Sequence, residues 1–164
     1  MKTDFLVVAC LLVAFVLAIM PIPAWAMWAR PEWPLLVLLY WILAWPERYG
    51  IIVAAFVGFC QDNLTGSLIG QHMLAYAVVA AVFWSGSRRI RMFNVWHQAM
   101  LVGVLLLLSQ LLQYWLVILT RTVEPAIGML LLPALTGALL WPWFMIFLRG
   151  LRRRLGNTNS FGSM

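Results

Sequence analysis

The sequence predicts an all-α integral membrane protein, built as a bundle of six transmembrane helices. Hydrophobic residues make up 65% of the 164-residue chain and charged residues only 10%, whereas a soluble domain carries about 25% charged residues. The apolar residues fall into six runs whose interiors contain no Lys, Arg, Asp or Glu. Basic residues cluster beside these runs, as they do in proteins whose orientation is set by the positive-inside rule.

The six predicted spans are, in chain order, 5–22, 33–45, 49–61, 68–84, 95–119 and 126–148. A complete crossing takes about 20 helical residues, so the second and third spans are short. Either they cross, using flanking residues or a locally thinner bilayer, or they enter and leave as a buried re-entrant hairpin. We favour crossing. The spans form one membrane domain, 1–155, and the small polar tail, 156–164, is predicted to be disordered.

Arginine placement predicts the orientation of the bundle. One cluster lies between spans four and five, and a second, at 149 and 152–154, follows span six. Two crossings separate the clusters, so both are expected on the cytoplasmic side, together with the N- and C-termini. Ala24-Trp25-Ala26 leaves a cleaved signal peptide as an alternative. The preceding apolar run exceeds the usual ~7–15 residues, however, so we expect it to be retained.

One acidic residue, Asp62, is the only formal charge between Arg48 and Arg88. Small residues and this acid recur every four positions along the third span and just after it: Gly50, Ala54, Gly58, Asp62 and Gly66. On a helix such a stripe lets backbones approach closely in a membrane. The pattern predicts a tightly packed turn between spans three and four.

The turn supplies the candidate partner-binding or helix-packing residues: Gly58, Asp62, Gly66, Gly70 and His72. Asp62 has two interpretations. It caps the turn or the fourth helix, or it binds a partner or ligand. The second interpretation predicts that Asp62→Asn leaves the protein folded but weakens partner capture. Gly58→Leu is expected to disrupt helix packing and lower the protein level.

The order and spacing of several motifs resemble those of the rod shape-determining protein MreD family. These motifs are Pro31-x-Trp33, Leu39-Tyr40-Trp41, Pro46, Gly58-x-x-x-Asp62, Gly66 and Leu68-Ile69-Gly70-Gln71-His72. The resemblance implies a multi-pass inner-membrane scaffold of the cell-elongation (rod) complex, involved in cell shape and lateral peptidoglycan synthesis. It implies MreC as the most direct partner, with RodA, a class B penicillin-binding protein and MreB. It also implies a fold similar to the substrate-binding subunits of energy-coupling-factor transporters, a likeness that does not transfer function.

Other classes of function have less support in the sequence. The motifs His-Glu-x-x-His, Gly-x-Ser-x-Gly and the glycine-rich phosphate loop are absent, and Asp62 has no second carboxylate nearby in sequence, so we predict no enzyme activity, metal or cofactor. The basic residues flank spans rather than covering a polar fold, so we predict no nucleic acid partner. The alternative function is a small-solute-binding subunit of a transporter. Ser109, Gln110, Gln113 and Tyr114 either line a solute cavity or, as we favour, make interhelical hydrogen bonds.

Arg88, Arg89 and Arg91 form a predicted cytoplasmic basic patch within a loop at 85–97. The simpler interpretation is that they set topology and attract anionic lipid. The other is that they dock a cytoplasmic filament. Replacing all three with glutamine separates these interpretations, because lost filament recruitment with unchanged insertion indicates docking.

Overall fold

The computed structural model describes residues 2–21, 23, 29–120 and 128–156, and the regular structure in these residues is helical. The all-helical prediction is therefore confirmed. The six described helices are α1 (Lys2–Ile19), α2 (Trp33–Ala44), α3 (Ile51–Thr65), α4 (Gln71–Ile90), α5 (Val95–Thr120) and α6 (Gly128–Gly156). Two described segments are long and apolar enough to cross a membrane, Val95–Thr120 and Leu131–Arg153 within α6.

Three helices continue well past the C-terminal ends of their predicted spans. The third runs to Thr65 rather than 61, so Asp62 lies within α3 and not after it. Helix α4 ends at Ile90, which reduces the predicted loop to residues 91–94, and α6 continues to Gly156. Arginine is a good helix former and a cation is favourable near a helix C-terminus, so the basic residues prolong both helices. Apart from Gly156, the predicted disordered tail lies outside the described residues, as do residues 24–26.

Helix α2 is the centre of the bundle. Every residue from Pro34 to Leu43 is buried, and α2 contacts α1, α3, α4 and α6. A helix that is apolar on all sides belongs in an interior. Its 12 residues are fewer than the ~20 of a complete crossing, and surrounding helices cover it along its length.

Small residues bring other helices close together. A Cβ atom added to Gly103 would lie 2.9 Å from the Cβ of Ala138, and one added to Gly137 would overlap the side chain of Leu106. Glycines therefore set the spacing between α5 and α6. The outward faces are apolar: Ile52 is 86% exposed and Trp143 is 75% exposed. Such surfaces fit a protein that is covered by lipid or by other apolar helices.

The bundle has two ends with different chemistry. At the arginine end, the Arg91 Nε atom donates to Leu43 O at 2.7 Å and Trp84 Nε1 donates to Pro46 O at 2.8 Å. The first bond joins the α4–α5 connection to the end of α2, and the second joins α4 to the residues just after α2. The second arginine cluster, on α6, lines a cavity with Arg91, so both clusters lie at this one end. The opposite end, the turn end, contains the α3–α4 turn and the start of α2.

Candidate functional site

The Asp62 carboxylate organises the α3–α4 turn. Its Oδ1 atom accepts hydrogen bonds from the Ser67 hydroxyl at 2.9 Å and from the backbone N–H and Nδ1 of His72, both at 2.8 Å. Its Oδ2 atom accepts from the backbone N–H of Gly70 at 2.8 Å and of Met73 at 3.3 Å. Asp62 is 1% exposed. The buried acid therefore caps α4: it accepts hydrogen bonds from backbone N–H groups of the first turn that would otherwise lack partners.

Ser67, His72 and Asp62 lie together, but their geometry is not that of a catalytic triad. A triad places the hydroxyl on one imidazole nitrogen and the carboxylate on the other. Here Ser67 Oγ, at 3.3 Å, and Asp62 Oδ1 both contact His72 Nδ1, while the serine hydroxyl also donates to the carboxylate. The imidazole packs edge-on against Tyr76, with ring centroids 5.7 Å apart. The cluster holds the turn together.

The glycines of the turn have distinct roles. A Cβ atom at Gly58 would lie 2.5 Å from His72 O and 2.6 Å from Met73 Cα, so α3 and α4 are in direct backbone contact there. Gly66 and Gly70 adopt positive φ angles of 62° and 102°, which only glycine reaches without strain. Gly66 ends α3 and Gly70 begins α4. All five candidate residues thus lie in or against one turn, with Asp62 at its centre.

A second acidic cluster, centred on Glu32, was missed in the sequence. Glu32 immediately precedes α2 and accepts hydrogen bonds from Ser109 Oγ at 2.9 Å, Gln110 Nε2 at 2.6 Å and Gln113 Nε2 at 2.7 Å. The Gln113 amide also donates to Ser109 Oγ at 3.0 Å. Three of the four polar residues named on α5, Ser109, Gln110 and Gln113, therefore bond to the start of α2. Two of them, Gln110 and Gln113, also line a cavity there. A signal existed, because this polar face requires a partner and Glu32 is an acid at the same end.

The two acidic clusters face a common cavity of about 180 Å³ at the turn end. Its polar lining consists of Arg30, Glu32, Gln61, Thr65, His72, Tyr76, Gln110 and Gln113. Arg30 is fixed by bonds to Leu17 O at 2.8 Å and Met20 O at 2.7 Å. Gln61 is only 6% exposed, and its Oε1 atom has no hydrogen-bond partner among the described residues. The cavity is large enough for a small polar molecule.

The predicted basic patch divides into two environments. Arg88 and Arg89 lie in the last turn of α4 and are exposed. Arg91 turns back onto the end of α2, where its second contact is with Ala44 O at 3.3 Å. Three residues that were considered as one patch therefore differ, and only Arg91 faces the bundle. In the described part of the chain, no group of three or more His, Cys, Asp or Glu residues could hold a metal ion.

The Glu32 cluster predicts a pH-dependent stability. Burial raises the pKa of the Glu32 carboxyl, although His72 and the donors on α5 oppose that rise. The folded protein thus keeps this proton at a pH where the unfolded chain has lost it, so stability falls as the pH rises from the ordinary range of glutamate to the raised pKa. Glu32→Gln should flatten this part of the curve, measured as melting temperature in detergent against pH. Glu47→Gln, at an exposed acid, should leave the curve unchanged, and equal curves for wild type and Glu32→Gln would contradict the assignment.

The outward faces are apolar, and the acids Asp62 and Glu32 accept hydrogen bonds from neighbouring helices. These features are those of a membrane-type helical bundle. Residues 1–151 match the family of the rod shape-determining protein MreD. The chain is 30% identical over 151 residues to a protein of Haemophilus influenzae described as rod shape-determining protein MreD, a match covering 92% of this chain and 93% of that relative. The chain therefore belongs to the MreD family, and both matches support a role in cell shape. No solved structure matches it.

Proposed function

We propose that this protein is a non-catalytic inner-membrane scaffold of the cell-elongation complex and supports lateral peptidoglycan synthesis. The observation that carries the proposal is that the buried Asp62 and the half-buried Glu32 each bond neighbouring helices together. Asp62 binds α3 to the start of α4, and Glu32 binds the start of α2 to α5. Both groups hold helices in place, and membership of a cell-shape family supplies the biological setting.

The proposed arrangement has six transmembrane helices, including the short second and third, with both termini in the cytoplasm. The arginines of the α4–α5 connection and of α6 lie at one end of the bundle, and clustered arginines favour the cytoplasmic side. The likeness to the substrate-binding subunits of energy-coupling-factor transporters remains part of this proposal. It rests on the family resemblance alone.

Among the implied partners, we propose direct contact with MreC, through which RodA, the penicillin-binding protein and MreB are reached. An apolar cleft of about 260 Å³ between α1 and α6 supports this choice. Leu6, Cys10 and Val13 line one side, and Phe144 and Phe147 line the other. Burying apolar surface in a shaped cleft favours helix association through close packing. The single transmembrane helix of a bitopic protein provides such a surface.

Cysteine cross-linking tests this contact. Single cysteines are placed along the MreC transmembrane helix, and oxidation is used to link them to the native Cys10 in membranes. We expect links at positions repeating every ~3.6 residues, as on one helical face. Cys10→Ser should abolish them, and Cys60, on α3, provides a matched native control. Capture of MreC in mild detergent without any Cys10 link would place the contact elsewhere, and failure to capture MreC would contradict direct binding.

The alternative is a small-solute-binding subunit of a transporter. The specific observation in its favour is the turn-end cavity, where the buried Gln61 Oε1 atom lacks a partner. A solute that co-purifies with the protein and is lost in Gln61→Leu would favour this function. We rank it second because the polar groups of α5 are already bonded to Glu32.

A further inference from the structure

A second cavity, at the arginine end, has the chemistry of an anion site. Its volume is about 360 Å³, and four arginines line it: Arg91 from the α4–α5 connection, and Arg149, Arg152 and Arg153 from α6. The three on α6 are spaced i, i+3 and i+4, which places them on one face of the helix. Among the described residues that line this cavity there is no aspartate or glutamate. In the described part of the chain, four guanidinium groups therefore meet around one space without an acid among them.

Some of the guanidinium groups are already positioned. Arg91 is anchored by Leu43 O through its Nε atom, and the Arg152 guanidinium carbon lies 5.3 Å from the centre of the Trp45 ring. Among the described residues, no acidic side chain is within ion-pair distance of Arg149, Arg152 or Arg153. Guanidinium groups bind phosphate oxygens through paired N–H donors. The arrangement suits a phosphate-bearing ligand with more than one negative charge.

Two buried polar groups in the same cavity lack partners. Tyr40 is 2% exposed, and its hydroxyl has no hydrogen-bond partner in the described part of the chain. Gln98 is 1% exposed; its Nε2 atom donates to Ile90 O at 2.9 Å and Phe93 O at 3.1 Å, which leaves Oε1 without a donor. Leaving buried polar groups unpaired is unfavourable. A phosphate oxygen would accept from Tyr40, and a hydroxyl of the same ligand would donate to Gln98.

We propose that this cavity binds the phosphate headgroup of a polyanionic lipid. A free diphosphate offers the same phosphate oxygens, but the position of the cavity favours a lipid. The exposed Trp143, Ile146 and Phe147 on α6 directly precede the arginines, so the cavity lies where an apolar, lipid-facing surface ends. Arginines at that depth meet headgroups at high local concentration. The inference rests on the membrane insertion proposed above and not on the scaffold role.

Lipid titration of the delipidated full-length protein, followed by native mass spectrometry, tests the site. The probes are cardiolipin, phosphatidylcholine and inorganic diphosphate. We expect one tightly held cardiolipin per chain, weaker phosphatidylcholine binding, and little competition from inorganic diphosphate. Arg149→Gln with Arg153→Gln should weaken cardiolipin binding by about tenfold or more, since each charge-assisted hydrogen bond contributes roughly that factor. Tyr40→Phe, which removes only the hydroxyl, should weaken it about threefold to tenfold.

The matched control is Arg88→Gln with Arg89→Gln, which removes two charges at the same end but outside the cavity. This pair should weaken cardiolipin binding much less than the cavity pair. If both pairs of substitutions weaken cardiolipin binding equally, the lipid is attracted by surface charge in general, and the proposed site is wrong. Full competition by inorganic diphosphate would overturn the lipid assignment. If the cavity pair fails to fold, Tyr40→Phe decides the question, because unchanged binding in that variant contradicts the geometry. None of these outcomes depends on whether MreC is captured.

Discussion

Gly58→Ala is expected to reduce the amount of folded protein sharply. The added Cβ atom would lie 2.5 Å from His72 O and 2.6 Å from both His72 C and Met73 Cα. These are backbone atoms, so the overlap can be relieved only by moving α4 away from α3. Overpacking of a tight interior costs about 1–3 kcal/mol, occasionally more. The displacement would also strain the Asp62 bonds to α4. A lower melting temperature in detergent and a lower membrane level are the expected results.

Gly150→Ala is the matched control for that substitution. Gly150 lies within α6, and an added Cβ atom there meets nothing within 4 Å. Alanine is favoured over glycine within a helix by about 1 kcal/mol, so the melting temperature should stay the same or rise slightly. Similar losses for Gly58→Ala and Gly150→Ala would show that helix contact at Gly58 is not the cause.

Asp62→Asn is the second substitution with a large expected effect, and the structure changes what we expect from it. Five donors converge on the carboxylate. An asparagine can offer one oxygen, and its amide nitrogen would then face either the donors at Oδ1 or those at Oδ2. Each buried donor left without a partner costs about 1–3 kcal/mol. The variant should therefore melt at a lower temperature and accumulate less in the membrane, instead of folding normally as the partner-binding interpretation predicts.

Glu47→Gln makes the same chemical change at an exposed acid and should leave the melting temperature unchanged. The decisive comparison combines stability with partner capture. If Asp62→Asn melts like wild type yet no longer captures MreC, the carboxylate is a partner-binding group and its role in the turn is secondary. If both properties fall together, the acid acts through the fold.

The turn around Asp62 shows how far the sequence could lead. The small residues repeated at intervals of four correctly indicated a tight turn with an acid in it, because such residues let two helices approach closely. The sequence pattern could not show that both oxygens of the Asp62 carboxylate already accept hydrogen bonds from within the turn. That fact depends on the backbone N–H groups of α4, which carry no sequence signature, and on the extension of α3 to Thr65.

The Glu32 cluster and the arginine cavity show what hydropathy alone misses. Glu32 lies outside the six apolar runs, and hydropathy gives no sign that folding brings it against α5, at positions 77 to 81 residues away. Similarly, Arg91 and Arg149 were expected at one end of the bundle, but their meeting around Tyr40 depends on where α2 ends. Contacts between helices distant in sequence determine both features.

Reconstitution of the purified protein into liposomes, alone and with MreC, tests the scaffold proposal most directly. The protein alone should neither turn over a lipid precursor nor carry a solute into the vesicles, while the same preparation should form a stable complex with MreC. Turnover or uptake by the protein alone, without binding to MreC, would contradict the account.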